Sequence, residues 1–271
     1  MGDQAVEGKT ILIHPEQGLG DFIQFCRYVP LLETLGAKVV LEVPLALHSV
    51  LSTLKGCFTL VRSVDALPAF DLHCPIMSLP FAFKTTLGNI PANRSYLQAG
   101  HEKQRVWRDG LGEKTQTRIG LVWAGSGWHK NDDERSIPLP LLAPLLELPF
   151  EFHCLQKEIS ADELDELKLY PQLGLHWQAL GDFSDTAALM SQMDLVVCVD
   201  TSVAYLAGAL GIPVWILLSA RPDYRWMLDR TDSAWYPTAT LLRQSVAGDW
   251  PGVISSLLQQ LQSLYPISKG V

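Results

Sequence analysis

The stretch Asp194-Leu-Val-Val-Cys-Val-Asp-Thr-Ser-Val-Ala-Tyr-Leu-Ala-Gly-Ala-Leu-Gly-Ile-Pro-Val-Trp-Ile-Leu-Leu218 decides the fold. From Thr201 to Leu218 it carries no charge and is long enough to be mistaken for a membrane span. Asp200 borders that run directly, and Gly211 and Pro213 break it where a spanning helix would have to continue. Leu195 to Val199 is short and rich in valine, as a strand is. Strand, turn, helix, turn, strand fits the whole stretch: a βαβ unit whose elements face protein on every side.

The same alternation extends outward. Thr10 to His14 is an apolar strand, followed by a turn at Gly18 and Gly20 and a helical pattern from Phe22 to Leu35 that Gly36 ends. Lys38 to Val43 is the next strand and Leu45 to Leu54 the next helix, with short strands at Phe58–Val61 and Phe70–Cys74. A polar, charged bridge from Gln98 to Arg118 marks a domain boundary, and Val106 and Trp107 predict a packed helix within it. A second series runs through strand Arg118–Trp123, helix Leu139–Leu146, strand Phe150–Leu155 and a helix opened by the capping box Ser160-Ala-Asp-Glu163. Asp185 is expected to cap a helix from Thr186 to Gln192. The last helix, Asp249 to about Leu264, puts Val253, Ile254, Leu257, Leu258, Leu261 and Leu264 on one face that must dock. The expectation is an α/β protein of two Rossmann-like domains, residues 1–108 and 109–271, with the last helix packing back on the first. Parallel sheets facing each other across a cleft bind ligands at their carboxyl edges, so the cleft would take a two-part ligand or two substrates.

Composition narrows the function classes. With 271 residues, 48% hydrophobic and 18% charged, the chain is globular and needs no staple of disulfide or metal. A net charge of -8 argues against a dedicated nucleic-acid binder. The five cysteines, Cys26, Cys57, Cys74, Cys154 and Cys198, form no CxxC pair and read as buried free thiols of a reducing compartment. Met1 to Lys9 are polar and lack a signal-peptide pattern, which predicts a cytoplasmic location.

Three segments carry chemistry. In His14-Pro-Glu-Gln-Gly18-Leu-Gly20-Asp21, glycines permit a sharp strand-to-helix turn. With Glu42, Gly18 and Gly20 make half a dinucleotide fingerprint, which raises an NAD-dependent oxidoreductase as one reading; the third glycine is missing because position 23 is Ile. Asp21 at the helix start would repel a pyrophosphate, so it reads either as a plain cap or as a general base at the cleft edge. The second segment, Asp200-Thr201-Ser202 with Tyr205, offers a helix N-terminus and two hydroxyls as a phosphate cradle, or simple capping. The third is the long polar loop Trp123-Ala-Gly-Ser126-Gly-Trp-His-Lys130-Asn131-Asp-Asp-Glu-Arg135-Ser136, where Lys130 and Arg135 offer charge to a diphosphate. Gln156 and Lys157 end the next strand on the same edge and add another cation. No Cys cluster or spaced His pair supports a metal at His129, and no Asp-x-Asp pair occurs to carry one for a nucleotide-sugar.

Together these residues resemble the glycosyltransferase family that includes the bacterial ADP-heptose:lipopolysaccharide heptosyltransferases, in the branch often fused to tetratricopeptide repeats. The resemblance runs from about Ile11 to Trp250 and implies the GT-B fold. It implies that Leu19-Gly20-Asp21 carries the catalytic base, that Arg135 before Ile137-Pro138 contacts the donor diphosphate, and that Val199-Asp200-Thr201-Ser202 binds diphosphate and donor sugar. Gly18, Gly20, Trp123, Ser126, Lys130, Asn131, Gln156, Lys157 and Tyr205 complete the expected donor site. The expectation is an inverting, metal-independent transferase moving a sugar from an ADP- or UDP-linked donor to a glycan, lipid-linked sugar or protein hydroxyl. No cofactor is expected beyond that co-substrate, and the enzyme would be cytoplasmic or peripheral at the inner membrane face. Asp223-Tyr-Arg-Trp226 and Asp232-Ser-Ala-Trp235-Tyr-Pro237 look like features of the repeat-linked branch. The family usually has His where this chain has Tyr205, and the acceptor-recruiting repeats are absent. These departures keep a second reading open, a catalytically silent sugar-nucleotide or protein-binding module.

Overall fold

A computed structural model describes residues 4–125 and 132–264. Its first sheet holds β1 (Thr10–His14), β2 (Lys38–Val43), β3 (Thr59–Arg62) and β4 (Leu72–Pro75), all parallel, in the order β3-β2-β1-β4. The second holds β5 (Arg118–Val122), β6 (Glu151–Cys154), β7 (Leu173–Leu175), β8 (Leu195–Val199), β9 (Val214–Leu218) and β10 (Ala239–Arg243), again all parallel, in the order β10-β9-β8-β5-β6-β7. Counted from β5, that is the 3-2-1-4-5-6 order of a dinucleotide-binding sheet, whose ligand crevice lies where the order reverses. Parallel strands need crossovers, and in the first half α1 (Leu19–Phe25) and α2 (Val29–Thr34) link β1 to β2 and α3 (His48–Leu51) links β2 to β3, while α4 (Leu79–Ala82) follows β4. α5 (His101–Leu111) joins the halves, and α6 (Asp132–Arg135), α7 (Ala143–Leu146), α8 (Ala161–Leu167), α9 (Phe183–Met190), α10 (Ser202–Leu210) and α11 (Trp250–Leu264) belong to the second.

Several expected elements are shorter or begin elsewhere. The helix expected over Phe22–Leu35 breaks into α1, a 3-10 turn at Cys26–Tyr28, and α2. Pro30 is the cause: it has no N–H to continue the ladder and is tolerated only in a first turn. Gly36 does end α2, at φ +81°. The Leu45–Leu54 and Leu139–Leu146 helices likewise start as 3-10 turns after Pro44 and Pro138. α9 is capped by Asp182, whose carboxylate accepts from the Ser184 N–H at 2.8 Å, while Asp185 closes the capping box from the third position. Of the cysteines, Cys26, Cys154 and Cys198 are buried, but Cys57 is exposed and Cys74 only half-buried.

The two halves share one hydrophobic cluster. It joins Ile11, Ile13, Phe22 and Phe25 to Ala187, Leu206, Ile216 and Tyr236. α1 crosses α10 closely because Gly20 has no side chain: an added Cβ would lie 2.9 Å from the Tyr205 ring. Arg27 fastens the same interface. It is 4% exposed and donates to the carbonyls of Gln24 (2.7 Å) and Trp235 (2.8 Å) and to the Tyr96 hydroxyl (3.0 Å). Its guanidinium lies 4.6 Å from the ring centres of both Tyr96 and Tyr236. The expected boundary at 108/109 falls inside α5, a docked helix: Lys103 pairs with Asp185 (2.6 Å) and Trp107 packs edge-on against His176. Val106, by contrast, is exposed.

The last helix does not return to the first half. Trp250, Val253, Ile254, Leu257 and Leu261 are buried in a second cluster with Ile119, Leu121, Val197, Trp215 and Leu217. The apolar stripe covers the outer face of its own sheet, which otherwise would face water. A docking face is legible from spacing, but which face it meets is not.

At the β6–β7 edge, His153 Nδ1 lies 3.0 Å from His176 Nε2 and the rings stack. Burial, with His176 and Arg118 adding repulsion, pulls His153 down to about 4. Between pH 4 and 6.5 the unfolded chain therefore binds a proton at this residue that the folded chain does not. Stability falls as pH drops through that window, by on the order of 2 kcal/mol. Asp200, raised to about 6 by burial, acts in the opposite sense over part of the same range. The discriminating measurement is therefore a difference: urea midpoints of wild type and His153→Leu at pH 7.5 and 5. The variant should lose less stability on acidification, and equal losses would remove His153 as the cause.

Candidate active site

One cavity of about 580 Å³ opens at the carboxyl edges of both sheets. The β1–α1 turn contributes Gln17, Gly18, Gly20 and Asp21. Opposite it stand Glu134 and Arg135 from α6, Asp200, Thr201, Ser202 and Tyr205 from the β8–α10 turn, and Arg221, Asp223 and Arg225 after β9. Thus a carboxylate from the first half faces a helix N-terminus from the second.

Asp21 sits at the third position of α1, and its Oδ2 accepts from the Gly18 N–H at 2.9 Å. It does cap the helix. Its Oδ1, however, is ion-paired with Arg225, a residue 204 positions away. Arg225 is 4% exposed and pairs also with Asp223 at 2.9 Å. Each carboxylate oxygen of Asp21 keeps a further lone-pair site, so the group can still accept a hydrogen bond from a ligand.

On the other wall, Thr201 caps α10 by accepting from the Val203 N–H at 3.3 Å. The helix start, with Ser202 in its first turn, brings unsatisfied backbone N–H groups and the positive dipole end to the cavity. Arg135 is held in place by Asp132 (2.9 Å) and by the Asp200 carbonyl (2.9 Å). That placement requires Gly125, because an added Cβ would collide with the guanidinium. Two bonds leave Arg135 with donors to spare for a ligand. Burial pushes the Asp200 carboxyl up to about 6, against the Trp226 side chain and the Tyr205 hydroxyl at 3.3 Å.

Of the residues expected in the donor site, Gly18, Gly20, Asp21, Arg135, Asp200, Thr201, Ser202 and Tyr205 line this cavity. Trp123, Gln156 and Lys157 do not. Trp123 is buried in the second cluster and donates to Glu163 at 3.1 Å; Gln156 accepts from the Ala124 N–H at 3.1 Å; Lys157 donates to the Gly181 carbonyl. Each has a structural partner nearer than the cavity. Ser126, Lys130 and Asn131 lie outside the described residues, as does His129. Glu42 of β2 is not on the cavity wall, and Gly20 is demanded by the close approach of the Tyr205 ring, so neither residue speaks for a dinucleotide. Among the described residues no group of three or more His, Cys, Asp or Glu could hold a metal. None of their helices is long and apolar enough to cross a membrane.

The sequence reading missed Arg221, Asp223, Arg225 and Glu134 as wall residues. Asp223-Tyr-Arg-Trp226 was visible as a motif directly after a strand, which is the signal that could have placed it.

Two parallel α/β halves meeting at their carboxyl edges, with a single cavity wall built from both, define the GT-B fold, and this chain has it. No family model matches the chain. It is similar to a glycosyl transferase family 9 structure from Veillonella parvula, with a TM-score of 0.66 at 10% identity over 99% of this chain and 92% of that one. Heptosyltransferase WaaC of E. coli, solved with ADP-2-deoxy-2-fluoro heptose, superposes with a TM-score of 0.61 at 10% identity, covering 94% of this chain and 99% of WaaC. In sequence the chain is 26% identical over 277 residues to protein FlbA of Caulobacter vibrioides. That alignment takes in 91% of this chain and 45% of FlbA, so the chain spans about half the length of this relative.

Proposed function

We propose that the chain is an inverting, metal-independent glycosyltransferase acting on a nucleotide-diphospho-sugar. The observation that carries the reading is the shared cavity wall: Asp21 from one sheet edge opposite Arg135 and the α10 N-terminus from the other. WaaC, of the same fold, is seen with an ADP-linked sugar. In the reaction, the acceptor hydroxyl gives its proton to Asp21 as its oxygen bonds the anomeric carbon. The anomeric C–O bond to the diphosphate breaks, and its electron pair leaves with the diphosphate. Arg135, the Thr201 and Ser202 hydroxyls and the helix N-terminus stabilise that developing charge. Inversion follows if attack comes from the face opposite the leaving group. The acceptor is a hydroxyl of a glycan, lipid-linked sugar or protein, met in the cytoplasm or at the inner membrane face.

A panel of ADP, UDP, GDP, CMP and NAD(H), each with and without EDTA, tests this by thermal shift. One nucleoside diphosphate should stabilise the protein, by about 2.7 kcal/mol at a hundredfold excess over its Kd, with no effect of EDTA. A shift only with NAD(H) would transfer the reading to an oxidoreductase, and a shift abolished by EDTA would end metal independence. One observation favours the second reading, a silent binding module. Tyr205 places a phenol, already bonded to Asp200, at the cavity wall. Slow hydrolysis of a bound donor would exclude it.

A further inference from the structure

Arg225 belongs to the half of the chain opposite Asp21, and its surroundings aim it rather than merely bury it. The 3-10 turn Tyr224–Trp226 is capped by Asp223, whose carboxylate accepts from the Arg225 N–H at 2.9 Å and pairs with its guanidinium, also at 2.9 Å. The turn ends at Met227, which adopts φ +55° and ψ -169°, a positive-φ conformation that a methionine rarely takes. Such backbone persists only where neighbours over-determine it. Here Arg243 does so: it donates to the carbonyls of Met227 (2.8 Å), Arg230 (2.9 Å) and Trp226. The Arg225 guanidinium runs past the rings of Tyr224 (4.6 Å), Phe25 (5.3 Å) and Tyr205 (5.9 Å) before its free end meets Asp21.

The two ends of this guanidinium fork thus join one carboxylate from each half of the molecule, Asp223 and Asp21. We propose that Arg225 is a positioning residue for Asp21: it fixes the carboxylate against the Gly18 N–H, with its remaining lone pairs toward the cavity, so that a proton acceptor exists only where the two halves meet. The inference rests on the glycosyltransferase reading, and it assigns Arg225 no contact with the substrate. Lysine cannot reproduce the arrangement, because an ammonium lacks the planar fork that reaches both carboxylates at once.

The test is turnover of the donor identified by the nucleotide panel, in wild type, Arg225→Lys, Arg225→Met, Asp21→Asn and the Asp21→Asn/Arg225→Met pair. Unfolding midpoints are recorded for each. Arg225→Met should lower kcat about a hundredfold with donor KM within about threefold of wild type, as expected for displaced catalytic groups. Arg225→Lys should recover part of that loss. In the Asp21→Asn background the same Arg225 change should cost less than threefold, because its effect passes through Asp21. An equal loss in both backgrounds, or a change in KM alone, overturns the inference by showing that Arg225 acts on the ligand directly. A rise in kcat on losing Arg225 also overturns it, since the pair would then be a restraint on Asp21. If Arg225→Met does not fold, Arg225→Lys alone and with Asp21→Asn gives the same comparison. Absence of turnover by wild type with every donor would instead fell the glycosyltransferase reading, and this inference with it.

Discussion

Asp21→Asn should lower kcat by about 10³-fold, the contribution expected of the proposed general base, while leaving nucleoside-diphosphate affinity nearly unchanged. The amide keeps the size of the carboxylate and one acceptor oxygen, but no longer accepts a proton at neutral pH. Its neighbours make the outcome specific. Gly18 N–H and Arg225 are both donors facing the two carboxylate oxygens, so an amide NH₂ must confront one of them. Stability should therefore fall by about 1–3 kcal/mol as well, because buried Arg225 exchanges a charged acceptor for a neutral one. In the proposed reaction the diphosphate binds at the other wall, Arg135 and the α10 N-terminus, which Asp21 does not touch in the bonds described. Single-turnover kinetics beside calorimetric nucleotide binding separate the effects. Unchanged turnover would remove Asp21 from the mechanism, and a parallel loss of affinity would make it a structural cap.

The second large effect concerns the interface that makes the cavity wall continuous. Arg27→Lys should destabilise the fold by about 3 kcal/mol or more, and more than Arg27→Met does. Among the described residues Arg27 has no carboxylate partner; carbonyls, a hydroxyl and aromatic faces hold its charge. A guanidinium is weakly hydrated and planar enough to lie against two rings while donating at its edges. An ammonium is more strongly hydrated and cannot reach the Gln24, Trp235 and Tyr96 acceptors together. Lysine therefore leaves a buried charge poorly compensated, whereas methionine removes the charge and leaves neutral acceptors, of which the Tyr96 hydroxyl still bonds the Ile23 carbonyl at 2.9 Å. Urea unfolding of the two variants checks the order. If lysine is the milder change, the charge rather than the planar fork matters here.

Much of the architecture was legible from local rules. The strands Thr10–His14, Lys38–Val43 and Leu195–Val199 stand where apolar runs bounded by turn residues put them. The turns ending in Asp21 and Thr201 lie at carboxyl edges because every strand of a parallel sheet runs the same way. That they meet at one cavity is set by the packing of the two halves, not by the alternation itself. The strands Leu173–Leu175 and Ala239–Arg243 were missed because the first is three residues long and centred on Gly174, and the second mixes Thr240 and Arg243 with its apolar residues, so neither stands out as an apolar run. They exist because neighbouring strands offer them a ladder.

What the sequence determined by itself is the class of fold, the strand edge at which the cavity opens and the two turns that flank it. Those depend on hydrogen bonds and side-chain spacing within a few residues. The tertiary structure alone decided that Trp123, Gln156 and Lys157 turn to structural partners and that α11 covers its own sheet. It alone decided that Arg225 reaches Asp21 across 204 positions. A long polar side chain bonds whatever acceptor packing brings within about 3 Å, and no local pattern encodes that distance.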